Sequence, residues 1–257
     1  MKAVILAGGR GTRLGEITSL KPKPMVEIGN KPIIWHIMKL YSFYGVKDFI
    51  ICAGYLGHEI KDYFVNFALH NSDVEVNLNS NKVNYLLNND NEDWNVKIID
   101  TGQETMTGGR LIKIKDFLED DKPFFLTYGD GLSNVNINEL LDFHKKSKKL
   151  VTMTAVYPPP RFGSLDIKNN FVTQFSEKNI GDTGRINGGF FVCEKKSINF
   201  IESDQPWESN PLKNLSKSGQ IMAYEHDGFW QPMDTLRERD ILQELWLKNK
   251  APWKVWD

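Results

Sequence analysis

The sequence predicts an α/β protein: a mixed, mostly parallel central sheet, with antiparallel additions in the second half. Three observations predict it. Short β-rich apolar runs alternate with segments of helical period, the pattern of βαβ units. From Arg161 onward the signal turns to strand-like segments separated by turn residues. The chain has 257 residues, 40% hydrophobic and 25% charged, which suits one large core near the upper size of a single domain. No internal repeat, low-complexity tract or Gly/Ser linker divides it, so residues 1–257 are expected to form one domain.

The apolar runs are residues 4–6, 49–53, 96–99, 124–128 and 151–156. Between the first two, residues 32–44 place Ile33, Ile34, Ile37, Leu40 and Tyr41 on one helical face, as a helix packed on the sheet requires. Residues 57–69 repeat the helical pattern. Residues 138–146 do so with Leu140, Leu141 and Phe143, and residues 236–247 form a further helical stretch. Strand-like segments follow at 164–167, 172–175 and 189–192, punctuated by Lys168-Asn169-Asn170 and Gly181-Asp182. Residues 71–93 are rich in Asn and Asp with weakly alternating Val74, Val76 and Leu78. That pattern suits a protruding hairpin or a solvated loop pair, and the hairpin is the expectation.

Composition excludes several function classes. With 32 basic and 33 acidic residues the net charge is -1, which leaves no global field for a nucleic-acid backbone, so an anion has to be bound locally. No apolar stretch approaches a membrane span, and the amino end reads as a strand rather than a secretory leader, so a cytoplasmic protein with no membrane partner is expected. Cys52 and Cys193 lie inside apolar runs, where thiols act as small buried hydrophobes, and neither a disulfide nor a metal role is expected of them. The five histidines show no ligand spacing, and Trp246, Trp253 and Trp256 are expected to pack rather than bind.

The first thirty residues carry the strongest functional signal. Ala3-Val4-Ile5-Leu6 runs into Ala7-Gly8-Gly9-Arg10-Gly11-Thr12-Arg13-Leu14, and Lys21-Pro22-Lys23-Pro24-Met25 follows. A strand that ends in a glycine loop lets bare amides approach a polyphosphate, while Arg13 and the lysines supply forked and mobile positive charge. The spacing is not that of a P-loop, which needs G-x-x-x-x-G-K-[ST]. Nor is it the dinucleotide fingerprint, since the sixth position counted from Gly9 is Leu14. The alternative is a tight strand-to-helix turn with incidental surface cations.

In open α/β sheets ligands collect at the carboxyl ends of the strands. Asp130 stands there between Gly129 and Gly131, where a hairpin turn is the alternative. Asp234 precedes the helical stretch 236–247, where an N-cap is the ordinary role. The two can also converge on one hard cation, because Mg²⁺ typically takes one or two carboxylates and completes its shell with phosphate and water. Residues 100–111 read as a flexible polar loop whose glycines, Thr105 and Arg110 suit a flat heterocycle, or as a plain surface loop. Glu177, Lys178 and Asn187 offer a carboxylate, an ammonium and an amide to a phosphorylated, polyhydroxylated ring, or else a surface ion pair and a turn.

Together these segments resemble the sugar-phosphate nucleotidylyltransferases. Leu6 to Leu14 with Lys23-Pro24 resembles the signature of the whole family. Residues 94–111, Tyr128-Gly129-Asp130-Gly131, and residues 158–166, 186–191, 228–237 and 251–254 resemble its cytidylyl-transferring members, so the similarity spans 1–257. The resemblance implies a three-layer Rossmann-like nucleotide-diphospho-sugar transferase fold. It implies CTP and α-D-glucose 1-phosphate as substrates, CDP-glucose and pyrophosphate as products, and Mg²⁺ as cofactor, on a route to deoxysugars of O-antigen in lipopolysaccharide. It also implies a homo-oligomer, with hexamers among the cytidylyl members.

By the same resemblance Leu6, Ala7, Gly8, Gly9, Gly11, Thr12 and Arg13 hold the nucleotide, Lys23 contacts phosphate, and Thr105 and Arg110 lie at the base. Gly129 lies beside the sugar nucleotide, Asp130 and Asp234 bind the metal, and Gly163, Glu177, Lys178 and Asn187 form the sugar side. Arg10 occupies a freely variable position, and residues 77–93 carry nothing over. Arg13, Lys23 and Asp130 are the expected catalytic residues: Arg13 on the leaving phosphates, Lys23 between the attacking and α-phosphates, and Asp130 with Asp234 on the metal. The same chemistry with UTP, dTTP or GTP, and a non-catalytic sugar-nucleotide-binding protein, remain as alternatives.

Overall fold

The computed structural model describes residues 1–15, 17–86, 92–159, 163–168, 171–177 and 184–256, and of 163–168 and 171–177 it describes the backbone. Seven strands form one central sheet: β1 (Lys2–Leu6), β2 (Asp48–Ala53), β3 (Asn95–Asp100), β4 (Phe124–Tyr128), β5 (Val151–Val156), β6 (Ile186–Cys193) and β7 (Ile221–His226). Their spatial order is β7-β5-β6-β4-β1-β2-β3. Neighbours run parallel except β6, which is antiparallel to both β4 and β5. The carboxyl ends of six strands and the amino end of β6 therefore share one edge. Register brings Leu6 beside both Cys52 and Tyr128 there.

Alternation along the strands separates two cores. Ala3, Ile5, Phe49, Ile51, Phe125, Phe190 and Val192 face one side, covered by helices α1 (Ile33–Phe43), α4 (Ile137–Ser147) and α6 (Leu236–Leu247). Val4, Leu6, Ile50, Cys52, Phe124, Leu126, Phe191 and Cys193 face the other, covered by α3 (Thr107–Lys113) and α5 (Asn210–Lys217). This is the three-layer arrangement expected, because parallel strands buried on both faces need helices on both sides. The expected thiol burial also holds. Trp253 is buried and stacks on Trp246 and Phe229. Among the described residues no helix is long and apolar enough to cross a membrane.

Several expected boundaries shift for identifiable reasons. The helix expected over 57–69 breaks into α2 (Gly57–Val65) and a short turn Phe67–Asn71. At the break Asn66 is the C-cap of α2, and its amide and its side chain both donate to the Asp62 carbonyl at 3.0 Å. The loop expected over 100–111 ends early, because Thr107–Lys113 is the helix α3 with Gly108–Leu111 buried. Gly109 is part of the reason: a Cβ there would lie 2.0 Å from Asp204 Oδ1, so glycine admits the 204–207 segment against the helix.

The hairpin expected within 71–93 is present as Asp73–Asn77 paired with Lys82–Leu86, exposed and outside the central sheet. The strand-like segments of the second half become an antiparallel ribbon, Gly163–Lys168 with Phe171–Glu177. The turn expected at Gly181-Asp182 lies outside the described residues. Strand β7, helix α5 and a small ribbon of Gly131–Ser133 with Trp230–Pro232 are elements that sequence pattern alone misses.

Candidate active site

Two clefts open along the carboxyl edge of the sheet and share Tyr128 and Asp130. The first has a volume of about 320 Å³ and is lined by Leu6, Ala7, Gly8, Gly9, Gly11, Arg13, Lys23, Thr105, Arg110, Gly129 and Asp130 among others. All but one of the expected nucleotide residues thus line a single cleft. The exception, Thr12, is exposed on the short 3-10 turn Thr12–Leu14 and lies off the lining. The second cleft, of about 490 Å³, is lined by Tyr128, Asp130, Pro158, Asn187, Gly188, Trp230 and Asp234 among others.

The glycine loop is fastened at its root and open at its tip. Ala7 donates to the Cys52 carbonyl at 3.0 Å, and the Gly8 carbonyl accepts from the Tyr55 amide at 3.1 Å. Among the described residues the amides of Gly9, Arg10 and Gly11 meet no protein acceptor, the condition for an anion cradle. Beneath the loop lies Arg110, 3% exposed. Its guanidinium donates to Ala53 O at 3.0 Å, Thr101 Oγ1 at 2.5 Å, Gly102 O at 2.9 Å and Gly8 O at 3.0 Å, and so braces four segments together. Burial pushes its pKa below the ordinary arginine value. A Cβ on Gly8 would sit 2.0 Å from Arg110 Nη1, so the loop can approach its brace only without a side chain there. Thr105 Oγ1 accepts from Lys113 Nζ at 3.1 Å at the cleft wall.

Where the clefts meet, Lys23 Nζ lies 2.5 Å from Asp130 Oδ2 and 2.6 Å from Asp234 Oδ1, and Arg13 Nη1 lies 3.0 Å from Asp234 Oδ2. Burial disfavours the charged lysine, but the two carboxylates outweigh it and hold its pKa above the usual lysine value. The ammonium is therefore charged at neutral pH. Residues 107 and 211 positions away in sequence reach it because of the small ribbon. Gly131 pairs with Pro232, and the Asp130 carbonyl accepts the Met233 amide at 2.8 Å, so Asp130 and Asp234 lie on adjoining ribbon ends. The N-cap of α6 is Thr235, not Asp234, because the chain enters the helix one residue later, and this leaves the Asp234 carboxylate for the cleft.

These donors fit a hard divalent cation. Both carboxylates reach one common cation, and hard oxygen ligands with room for phosphate are what Mg²⁺ selects. No cluster of three or more His, Cys, Asp or Glu suited to a metal occurs among the described residues, so a cation held by these two carboxylates would have to complete its shell with substrate and water.

At the second cleft, Asn187 Oδ1 accepts the Gly189 amide at 2.8 Å and its Nδ2 donates to Tyr128 Oη at 3.3 Å. Tyr128 in turn donates to Glu208 at 2.5 Å, and Thr107 donates to the same carboxylate at 2.7 Å. Burial and then Glu208 raise the Tyr128 pKa well above the phenol value, so it remains a donor. Glu208 links the two clefts, and no motif in the sequence signals it. Gly163 and Glu177 stand opposite each other as the first pair of their ribbon, while Lys178 lies outside the described residues.

An anion cradle beside a charged lysine, an arginine and two convergent carboxylates, on a three-layer sheet edge, is the equipment of an enzyme that transfers nucleotidyl groups. The chain belongs to the nucleotidyl transferase family, whose sequence model matches residues 2–226. It is 54% identical over 258 aligned residues to the glucose-1-phosphate cytidylyltransferase of Salmonella typhimurium, covering 100% of both chains. It is 40% identical, again over 100% of both, to the probable glucose-1-phosphate cytidylyltransferase of Bacillus subtilis. Among solved structures it resembles that of HddC from Yersinia pseudotuberculosis, with a TM-score of 0.69 at 24% identity over 95% of this chain and 99% of that one. That likeness concerns the fold.

Proposed function

We propose that this protein is an enzyme that transfers a cytidylyl group from CTP to α-D-glucose 1-phosphate, giving CDP-glucose and pyrophosphate. The observation that carries the reaction class is the Lys23 ammonium between Asp130 and Asp234, at the junction of the two clefts. The choice of base and sugar rests on full-length identity of 54% to a relative named for that activity.

The chemistry follows from charge. The second pKa of a phosphate monoester is about 6, so the attacking oxygen is ionised at neutral pH and needs no dedicated base. The obstacle is the approach of two anions and the charge that grows on the leaving pyrophosphate, which preorganised cations and amides relieve. The amides of Gly9 to Gly11 cradle the triphosphate, Arg13 meets the leaving phosphates, and Lys23 spans the attacking and α-phosphates. Asp130 and Asp234 are the residues that would hold Mg²⁺, which when bound supplies further positive charge beside the α-phosphate. Glucose 1-phosphate takes the second cleft, where Asn187 and Tyr128 offer polar contacts.

Release of pyrophosphate from each NTP with glucose 1-phosphate tests this directly. CTP is expected to be strongly preferred. Preference for UTP, dTTP or GTP would refute the base assignment, and sugar-nucleotide binding without any release would refute catalysis.

Three coarser expectations belong to the same reading. The product feeds a route to deoxysugars of surface polysaccharide such as O-antigen. The protein works in the cytoplasm, which its buried free thiols suit. It assembles as a homo-oligomer, a hexamer by the resemblance. The exposed apolar Val76, Leu78, Val83, Tyr85 and Leu86 of the hairpin support assembly, and sedimentation at two concentrations tests it.

A further inference from the structure

Asp130 and Asp234 are not anchored alike. Asp130 lies in the two-residue connection between the central strand β4 and the small ribbon, whereas Asp234 lies beyond the last pair of that ribbon and before α6. What fixes the main chain there is Glu238. Its Oε2 accepts from the Asp234 amide at 2.8 Å, the Thr235 amide at 2.9 Å and the Thr235 hydroxyl at 3.2 Å, while Thr235 Oγ1 accepts the Glu238 amide at 3.3 Å.

A capping box requires only the reciprocal bonds between Thr235 and Glu238. The additional bond reaches one residue upstream, to the residue whose carboxylate meets Lys23 and Arg13. Glu238 is 8% exposed, so water competes little for these charge-assisted bonds.

We propose that Glu238 is a positioning residue of the transfer site: it locks the main chain at Asp234 so that this carboxylate and that of Asp130 meet on one shared cation. The proposal rests on the reading of Asp130 and Asp234 as divalent-metal ligands. With the clamp gone, the Asp234 backbone can turn, and the carboxylate no longer stays opposite its partner. A residue that supports a ligand in this way typically changes metal affinity by about 10- to 100-fold when lost. A helix cap alone changes stability but not metal affinity.

The test is a titration of the full-length protein with Mn²⁺ in the presence of CTP, followed by electron paramagnetic resonance, together with thermal unfolding of each variant. Wild type is expected to bind Mn²⁺, Glu238→Ala to bind it about 10- to 100-fold more weakly, and Glu238→Gln, which keeps an acceptor oxygen, to remain near wild type. Thr235→Ala leaves the bond from Glu238 to the Asp234 amide in place, so it should unfold at lower temperature yet keep its Mn²⁺ affinity.

Equal Mn²⁺ affinity in wild type and Glu238→Ala, with lowered thermal stability as the sole change, would overturn the proposal. Should Glu238→Ala not fold, Glu238→Asp decides: its side chain is one methylene short, and unchanged affinity in that variant counts against the clamp. Asp234→Ala separates the two levels. If it binds Mn²⁺ as wild type does, the metal reading fails and the clamp with it; if it loses binding while Glu238→Ala does not, only the clamp fails.

Discussion

At the scale of single residues, Lys23 and Gly8 show how the site depends on atoms already held in place. Replacing Lys23 with Ala removes the ammonium that Asp130 and Asp234 share, at 2.5 and 2.6 Å. Loss of a preorganised donor costs about 10² to 10³ in rate, so kcat should fall by that order while circular dichroism stays unchanged. Unaltered turnover would take Lys23 out of the mechanism. Gly8→Ala acts differently, because the new methyl meets a guanidinium pinned by four acceptors. Each buried donor left unpaired costs about 1 to 3 kcal/mol, so urea unfolding should show a loss of at least that size. A stability equal to wild type would mean that Arg110 can move aside. These residues were legible in the sequence because a glycine loop after a strand is followed by Arg13 and by Lys23-Pro24, a combination that points to phosphate where the loop alone also suits a tight turn. Glu208 and Glu238 were not, because each acts through a partner far away or one turn along, and a carboxylate in a loop or at a third helical position looks ordinary.

At the scale of elements, α1 carries a buried titratable group that ties stability to pH. Burial pushes His36 from 6.5 down to about 4. Its Nε2 lies 2.9 Å from the Ile28 carbonyl, and its Nδ1 accepts from Trp253 Nε1 at 3.4 Å, which suits a neutral ring with the proton on Nε2. In the unfolded chain His36 takes up a proton below about 6.5, and in the folded chain only below about 4. The unfolded state therefore gains protons first, and stability is lost as pH falls through that window, levelling off below it. A gap of that width corresponds to about 3 kcal/mol. Urea midpoints measured from pH 7 to 4 should fall more steeply for wild type than for His36→Asn, and parallel curves would show that the ring is not buried neutral.

Among elements, legibility followed burial. Strands β1, β2 and β4 announce themselves as continuous apolar runs, since both their faces are covered. Strand β7 alternates half-buried and exposed residues at the sheet edge, and α3 contains two glycines that propensity assigns to a loop, so only tertiary contact reveals them. The ribbon that joins Asp130 to Asp234 spans strands of three residues, too short for any periodic signal.

At the scale of the whole molecule, one sheet with a core on each face ties the amino-terminal half to the carboxyl-terminal half. Strand β6, from late in the chain, pairs with β4, which pairs with β1. Cys52 on β2 and Cys193 on β6 belong to the same core cluster although they come from opposite halves. Burial raises both thiols, Cys52 to about 12, and thiolate is the reactive form, so neither should react while the fold holds. The chain contains 2 cysteines, which makes them a pair of internal reporters. If residues 1–257 unfold as one cooperative unit, both thiols should become reactive toward a chromogenic disulfide reagent at a single urea midpoint, coincident with loss of helical circular dichroism. Mass mapping of the modified peptides at intermediate urea assigns each thiol. Exposure of Cys193 well before Cys52, or the reverse, would mean that the two halves open separately and that the shared core does not couple them.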